Sequence, residues 1–162
     1  MSGGPRTAAV LTVSDGVHHG TREDRSGAAL EEMLTEAGFE VVQRAVVPDE
    51  RPLIQKAIRE MAEKAALVVT TGGTGFGPRD VTPEATRTIL EREAPGMAEA
   101  MRAAGRLDTA MANLSRGVVG TVGSALVCNL PGSPKGACDS LRAVMDIVPH
   151  ALQLISGDTE HR

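Results

Sequence analysis

The stretch VVTTGGTGFGPRD, residues 68–80, carries four glycines within six positions and ends on an arginine followed by an aspartate. Its first four residues are β-branched, which favours a strand. Glycines that follow a strand leave backbone N–H groups free to converge on an anion, and the N-terminus of the next helix adds partial positive charge. The stretch therefore predicts an anion-binding loop, and its alternative is a plain turn between a strand and a helix.

The surrounding sequence alternates between apolar runs that predict strands and amphipathic runs that predict helices. Strands are expected at residues 7–14, 40–47 and 66–71, with a short strand and a buried strand on either side of Gly123 within 117–130. Helices are expected after the N-cap residues Ser26, Asp49, Thr82 and Ser133, with a short one at 96–105 and an interruption or restart at Pro149. On the short helix, Met97 and Met101 suit either a subunit contact or the core.

This alternation predicts an α/β fold, namely a single-domain three-layer α/β/α sandwich with a mostly parallel sheet. The domain is expected to span residues 7–157, with flexible ends at 1–6 and 158–162. In such sheets ligands bind beyond the carboxyl ends of the strands. Those ends carry Ser14 and Asp15, then Asp49, then the glycine loop, then the turn NLPGSPK of residues 129–135.

Several of these polar residues also fit purely local roles. Asp80 lies two residues before the expected cap Thr82, so it is free to face a ligand, although it also suits a turn. Asp49 is itself a candidate N-cap, and Asp15 is a candidate turn residue. Lys135 beside a helix N-terminus suits a phosphate or carboxylate, or a solvated position.

Composition excludes several classes of function. The net charge of −4 and the two phenylalanines as the only aromatic residues argue against nucleic-acid binding. The chain has no long apolar run and no signal peptide pattern, so we expect no membrane association. The two cysteines form no zinc motif and suit reduced thiols in the cytoplasm.

The same residues limit the chemistry. No Ser-His-Asp or Cys-His arrangement is readable, which disfavours a side-chain nucleophile. Carboxylates beside backbone anion sites instead suit phosphoryl or nucleotidyl transfer, in which the protein positions groups and neutralises charge. Aspartates would then hold Mg²⁺, a cation that prefers oxygen ligands. Arg116, just before a strand, is a further candidate cationic contact.

Taken together, TVSD, DRSG, VPDE, TTGGTGFGPRDVTPEAT, EREAPGM, LSR and NLPGSPKG occur in the order found in the bacterial Mog/MoaB proteins. The chain resembles that molybdopterin adenylyltransferase family over nearly its whole length, and it is similar to the gephyrin G domain. The resemblance implies adenylylation of molybdopterin by Mg-ATP with release of pyrophosphate. It also implies a homotrimer or hexamer whose product passes to a separate molybdenum-insertion protein.

The resemblance assigns roles residue by residue. Asp49 and Asp80 match the catalytic acidic pair of the family, which we also expect to bind magnesium. The nucleotide- and pterin-binding positions match Ser14, Asp15, Gly72, Gly73, Thr74, Gly75, Ser115, Gly132, Ser133 and Lys135. Two alternatives on the same scaffold are a pterin-binding or assembly module without turnover and a metal-dependent phosphate-ester or pyrophosphate hydrolase.

Overall fold

The structure is a computed structural model that describes residues 6–158. The strands are β1 (Thr7–Val13), β2 (Glu40–Val47), β3 (Leu67–Thr71), β4 (Arg92–Glu93), β5 (Val119–Val122) and β6 (Ala125–Leu130). The helices are α1 (Asp15–His18), α2 (Arg25–Glu36), α3 (Arg51–Ala62), α4 (Thr82–Ile89), α5 (Pro95–Arg106), α6 (Pro134–Val144) and α7 (Val148–Ile155). A 3-10 helix spans Ala110–Leu114. The predicted flexible ends lie almost entirely outside the described residues.

The six strands form one sheet in the order β2-β1-β3-β6-β5-β4. The pairs β2–β1, β1–β3 and β3–β6 are parallel, whereas β6–β5 and β5–β4 are antiparallel. The chain runs from β1 to β2 on one side and then to β3 on the other, so the direction of strand succession reverses between β1 and β3. This is the switch point at which such sheets bind ligands.

Two apolar layers cover the sheet, because successive side chains of a buried parallel strand point to opposite faces. On one face Ala8, Val10 and Val69 pack with residues of α2, α5, α6 and α7. On the other face Ala9, Leu11 and Val68 pack with residues of α3 and α4. The prediction of a three-layer sandwich with a mostly parallel sheet is confirmed.

Among the predictions for α2, α6, α7 and the two methionines of α5, the N-cap at Ser26 is wrong and the others agree with the structure. The helix α2 begins at Arg25, and its N-cap is Asp24, whose Oδ1 accepts the N–H of Gly27 at 3.0 Å, so Ser26 is not the cap. Pro149 does restart a helix, and Ser133 does cap α6 through the N–H of Gly136. Met97 and Met101 belong to the core, with 9% and 5% exposure.

Two further observations concern membrane-spanning helices and the cysteines. Within residues 6–158, no helix is long and apolar enough to cross a bilayer. Both cysteines are unpaired, and burial raises the pKa of the Cys128 thiol to about 12. Cys128 is fully buried in the packed core.

The helix α3 offers a matched test of the packing. We expect Ile58→Ala to lower the free energy of unfolding by about 2–5 kcal/mol, because Ile58 is fully buried and its removal leaves a cavity. Leu53→Ala on the same helix is the control, since Leu53 is 41% exposed and should cost less than about 1 kcal/mol. Equal losses in equilibrium urea unfolding would contradict the described face of α3.

Candidate active site

The glycine loop between β3 and α4 is pressed against the end of β1. Gly72 has φ of 102°, and a Cβ at that position would lie 2.2 Å from the carbonyl oxygen of Val13. Gly73 has φ of 71°, and its Cβ would lie 2.3 Å from Thr82 Oγ1. Both positions therefore require glycine for conformation and for space.

Thr82 anchors this loop and does not cap the helix. The residue before α4 is Val81, and Thr82 is the first helical residue. Its hydroxyl donates to the carbonyl oxygen of Gly72 at 3.0 Å, and its N–H donates to the carbonyl oxygen of Gly73 at 3.1 Å. The predicted N-cap at Thr82 is wrong because the hydroxyl is engaged with the loop.

Asp15 and Asp49 are tied together by two reciprocal hydrogen bonds. The N–H of Asp15 donates to Asp49 Oδ2 at 2.9 Å, and the N–H of Asp49 donates to Asp15 Oδ1 at 3.0 Å. The N-cap position of α3 is Glu50, which makes no side-chain cap, so the capping alternative for Asp49 is wrong. The exchange joins the loop after β1 to the loop after β2.

Arg79 completes this arrangement from the glycine loop. Its Nε donates to Asp15 Oδ2 at 2.7 Å, and its Nη2 donates to Asp15 Oδ1 at 3.0 Å. These bonds, followed by the bond from the backbone of Asp49, lower the pKa of Asp15 to about 2. Desolvation raises the pKa of Asp49, and the charges of Asp15 and Asp80 add to the effect. Asp15 therefore holds three loops together, while Asp49 is the carboxylate whose Oδ1 faces Gly73.

Asp80 makes a hydrogen bond within its turn and also faces the glycine loop. Its Oδ2 accepts the N–H of Gly77 at 2.9 Å, which is the turn role. The same oxygen would lie 3.1 Å from a Cβ on Gly75, so the carboxylate faces the glycine loop. Asp49, from the loop after β2, and Asp80, within the glycine loop itself, thus both face the loop's glycines, each with a backbone N–H bound to one carboxylate oxygen.

Two cavities flank the loop. The larger has a volume of about 870 Å³ and contains both acids in its wall, whereas the smaller has a volume of about 520 Å³ and contains Asp80 alone of the two. Four residues line both cavities: Gly73, Asp80, Gly132 and Ser133. Of the predicted site residues, Ser14, Asp49 and Gly72 line the larger cavity, and Thr74, Gly75, Ser115 and Lys135 line the smaller one. Asp15 lies on neither wall.

The two predicted cationic residues pair with groups of the protein itself. Lys135 Nζ lies 2.7 Å from Asp139 Oδ2 and 3.4 Å from Asp108 Oδ1, so carboxylates already balance its charge. Arg116 is engaged by the glycine loop and by Glu84. Arg22, which the sequence did not single out, lines the larger cavity. Its aliphatic stem lies where a side chain on residue 16 would be, which Gly16 permits.

The donor set fits magnesium accompanied by a phosphate ligand. In the part of the chain that the structure describes, no three His, Cys, Asp or Glu side chains are grouped closely enough to hold a metal ion by themselves. Asp49 and Asp80 offer carboxylate oxygens on the wall of the larger cavity. Mg²⁺ is commonly held by one or two carboxylates together with waters and substrate phosphates. Asp49 and Asp80 could therefore supply one or two of the oxygen ligands of a magnesium ion, with waters and a phosphate group as the others.

Comparisons with known proteins follow the same motifs. The family model described as "Probable molybdopterin binding domain" matches residues 9–150. The chain is 40% identical over 153 residues to a molybdopterin adenylyltransferase of Helicobacter pylori, covering 92% of this chain and 87% of that protein. It is also 40% identical over 156 residues to the molybdenum cofactor synthesis protein cinnamon of Drosophila melanogaster, covering 94% of this chain.

The matched lengths differ among relatives. The chain spans 26% of the Drosophila protein and 47% of a molybdenum cofactor biosynthesis bifunctional protein of Synechococcus elongatus. Among solved structures, the molybdopterin biosynthesis enzyme MoaB of Thermus thermophilus superposes with a TM-score of 0.88 at 51% identity, covering 93% of this chain and 96% of that one. The resemblance found in the motifs is confirmed, and the chain belongs to the family of probable molybdopterin binding domains, together with the Mog and MoaB proteins.

Proposed function

We propose that the chain transfers the adenylyl group of Mg-ATP to molybdopterin and releases pyrophosphate. The observation that carries the proposal is the pair of cavities that meet at Gly73 and Asp80, since a two-substrate transfer needs two compartments and a shared reacting point. Relatives named molybdopterin adenylyltransferase at 38–40% identity support the choice of substrates.

The reaction forms one bond and breaks one. A terminal phosphate oxygen of molybdopterin attacks the α-phosphorus of ATP, and the bond from that phosphorus to the β-phosphate oxygen breaks. Pyrophosphate leaves with the electron pair. The attacking phosphate is already anionic at pH 7, so the chain needs no general base for this step.

The residues of the chain would orient the two substrates. In the glycine loop, the N–H groups of Gly72 and Gly77 donate to Leu130 and Asp80, so those of residues 73–75 would bind phosphate oxygens. The N-terminus of α6 at Ser133 adds a favourable partial charge for anions. Asp49 and Asp80 would hold the magnesium ion, which neutralises phosphate charge when bound. Ser14, Thr74 and Ser115 offer polar contacts from the cavity walls.

The proposal extends to assembly and location. A homotrimer or hexamer is supported by an apolar segment beside the smaller cavity, where Leu107 is 92% exposed, Met111 64% and Leu114 50%. The two unpaired thiols fit a reducing cytoplasm. A molybdenum-insertion protein would receive the adenylated product. Light scattering after gel filtration measures the first of these properties directly.

A direct assay tests the reaction. Purified protein incubated with molybdopterin and Mg-ATP should release pyrophosphate and form adenylated molybdopterin in equal amounts, measured by coupled detection and by mass. Addition of EDTA should stop both, because the phosphates then lose the cation that neutralises them.

The same assay separates the alternatives. Tight pterin binding without an adenylated product would favour the binding or assembly module. Release of phosphate or pyrophosphate from ATP with no adenylated pterin would favour a hydrolase. Either result would overturn the transferase.

Isosteric variants test the two acids. Asp80→Asn and Asp49→Asn should each lower kcat by roughly 10²-fold or more, the scale of loss when a key electrostatic group is removed. The amide oxygen of asparagine can still accept the backbone N–H that each aspartate binds, so the loops should keep their conformation.

The matched control is Asp146→Asn, at an exposed position outside both cavities, which should turn over like the wild type. Thermal unfolding confirms that each variant folds. Folded Asp80→Asn protein with wild-type kcat would contradict the role of Asp80.

A further inference from the structure

Arg116 is bound to the glycine loop at several points. Its backbone N–H donates to the carbonyl oxygen of Thr74 at 2.9 Å, and its Nε donates to the carbonyl oxygen of Gly75 at 2.9 Å. Its Nη2 donates to the carbonyl oxygen of Asp80 at 3.0 Å, and its Nη1 pairs with Glu84 in the first turn of α4. One side chain therefore spans the turn from residue 75 to residue 80.

The planar guanidinium is suited to this task. It presents several N–H groups in a fixed fork, so one side chain can serve two carbonyl oxygens and a carboxylate at once, which the compact lysine ammonium cannot do as well. The ring of Phe76, within the same turn, lies 5.2 Å from the guanidinium carbon and contacts the cation through its face. Glu84 balances the charge of Arg116, and this bond lowers the pKa of Glu84.

Arg116 is one of several groups that hold Asp80 in place, and it binds the Asp80 carbonyl oxygen directly. Within the turn itself, the N–H of Asp80 donates to the carbonyl oxygen of Gly77 at 3.0 Å, and Asp80 Oδ2 accepts the N–H of Gly77. Those bonds hold Asp80 relative to Gly77, and the side chain of Arg79 ties the exposed side of the turn to Asp15. Arg116, on the segment before β5, connects both ends of the turn to a different part of the sheet.

We propose that Arg116 is a positioning residue for the adenylyl transfer: its guanidinium fixes the turn of residues 75–80 and thereby the carboxylate of Asp80 on the wall shared by the two cavities. This inference rests on the proposed function. It replaces the expectation that Arg116 contacts the ligand, because protein carbonyls and Glu84 already bind its N–H groups.

The test compares Arg116→Gln, Arg116→Lys and a matched control. Arg87→Gln is the control, because Arg87 lies one turn after Glu84 on α4 and pairs at the surface with Glu93. The measurements are kcat and KM for both substrates, and amide hydrogen exchange of the loop followed by mass spectrometry without substrates.

We expect Arg116→Gln to lower kcat by about 10²-fold with KM changed by less than about fivefold, since a small misplacement of a reacting group has an effect of that order. Exchange should become faster in residues 74–80, with the N–H of Gly77 as the reporter. Arg116→Lys should restore part of both, and Arg87→Gln should match the wild type.

A second variant covers the case in which Arg116→Gln does not fold. Glu84→Gln removes the carboxylate charge opposite Nη1 and leaves both carbonyl bonds in place, so it should give a smaller loss of kcat and a smaller rise in loop exchange. An unchanged kcat in folded Arg116→Gln protein, or faster exchange over the whole chain, would overturn the positioning role. Wild-type protein that forms no adenylated pterin would instead overturn the proposed function, whatever the variants do.

Discussion

The close approach of Gly72 to the end of β1 is the contact on which the site depends. A Cβ at position 72 would lie 2.2 Å from the carbonyl oxygen of Val13, so the loop can lie there only without a side chain. The contact lies where the strand succession reverses, between β1 and β3. The loops after β1, β2 and β3 lie within hydrogen-bond distance of one another, as the bonds among Asp15, Asp49 and Arg79 show. The two cavities lie on either side of the glycine loop.

Electrostatic ties then give the three loops a defined arrangement. The carboxylate of Asp15 accepts two bonds from Arg79 and one from the backbone of Asp49. The low pKa of Asp15 follows from those donors and keeps its carboxylate ionised at neutral pH. One carboxylate is thus used for structure, and this leaves Asp49 and Asp80 as the aspartates on the wall of the larger cavity.

The sequence predicts the layers of this fold better than the details of the site. The strand predicted at 40–47 coincides with β2. Its periodic pattern and its β-branched residues depend only on neighbouring positions, so they can be recognised in the sequence alone. The predicted caps at Ser26, Asp49 and Thr82 are wrong, since a hydroxyl or carboxylate near a helix start has other partners available in the folded chain. The exchange between Asp15 and Asp49 joins residues 34 apart, and no local pattern signals it. No sequence pattern predicts the ion pair between Lys135 and Asp108 either.

Asp49 and Asp80 share a further property that bears on the proposed catalysis. Each is held by one backbone N–H, from Asp15 in one case and Gly77 in the other. A carboxylate fixed in this way loses little further conformational freedom when it engages a ligand, and such preorganisation is what electrostatic catalysis requires. Asp49 also has a raised pKa, mainly because it is desolvated. A positive charge nearby would therefore stabilise its ionised form. In the proposed transfer, the magnesium ion that accompanies ATP would supply that positive charge beside Asp49.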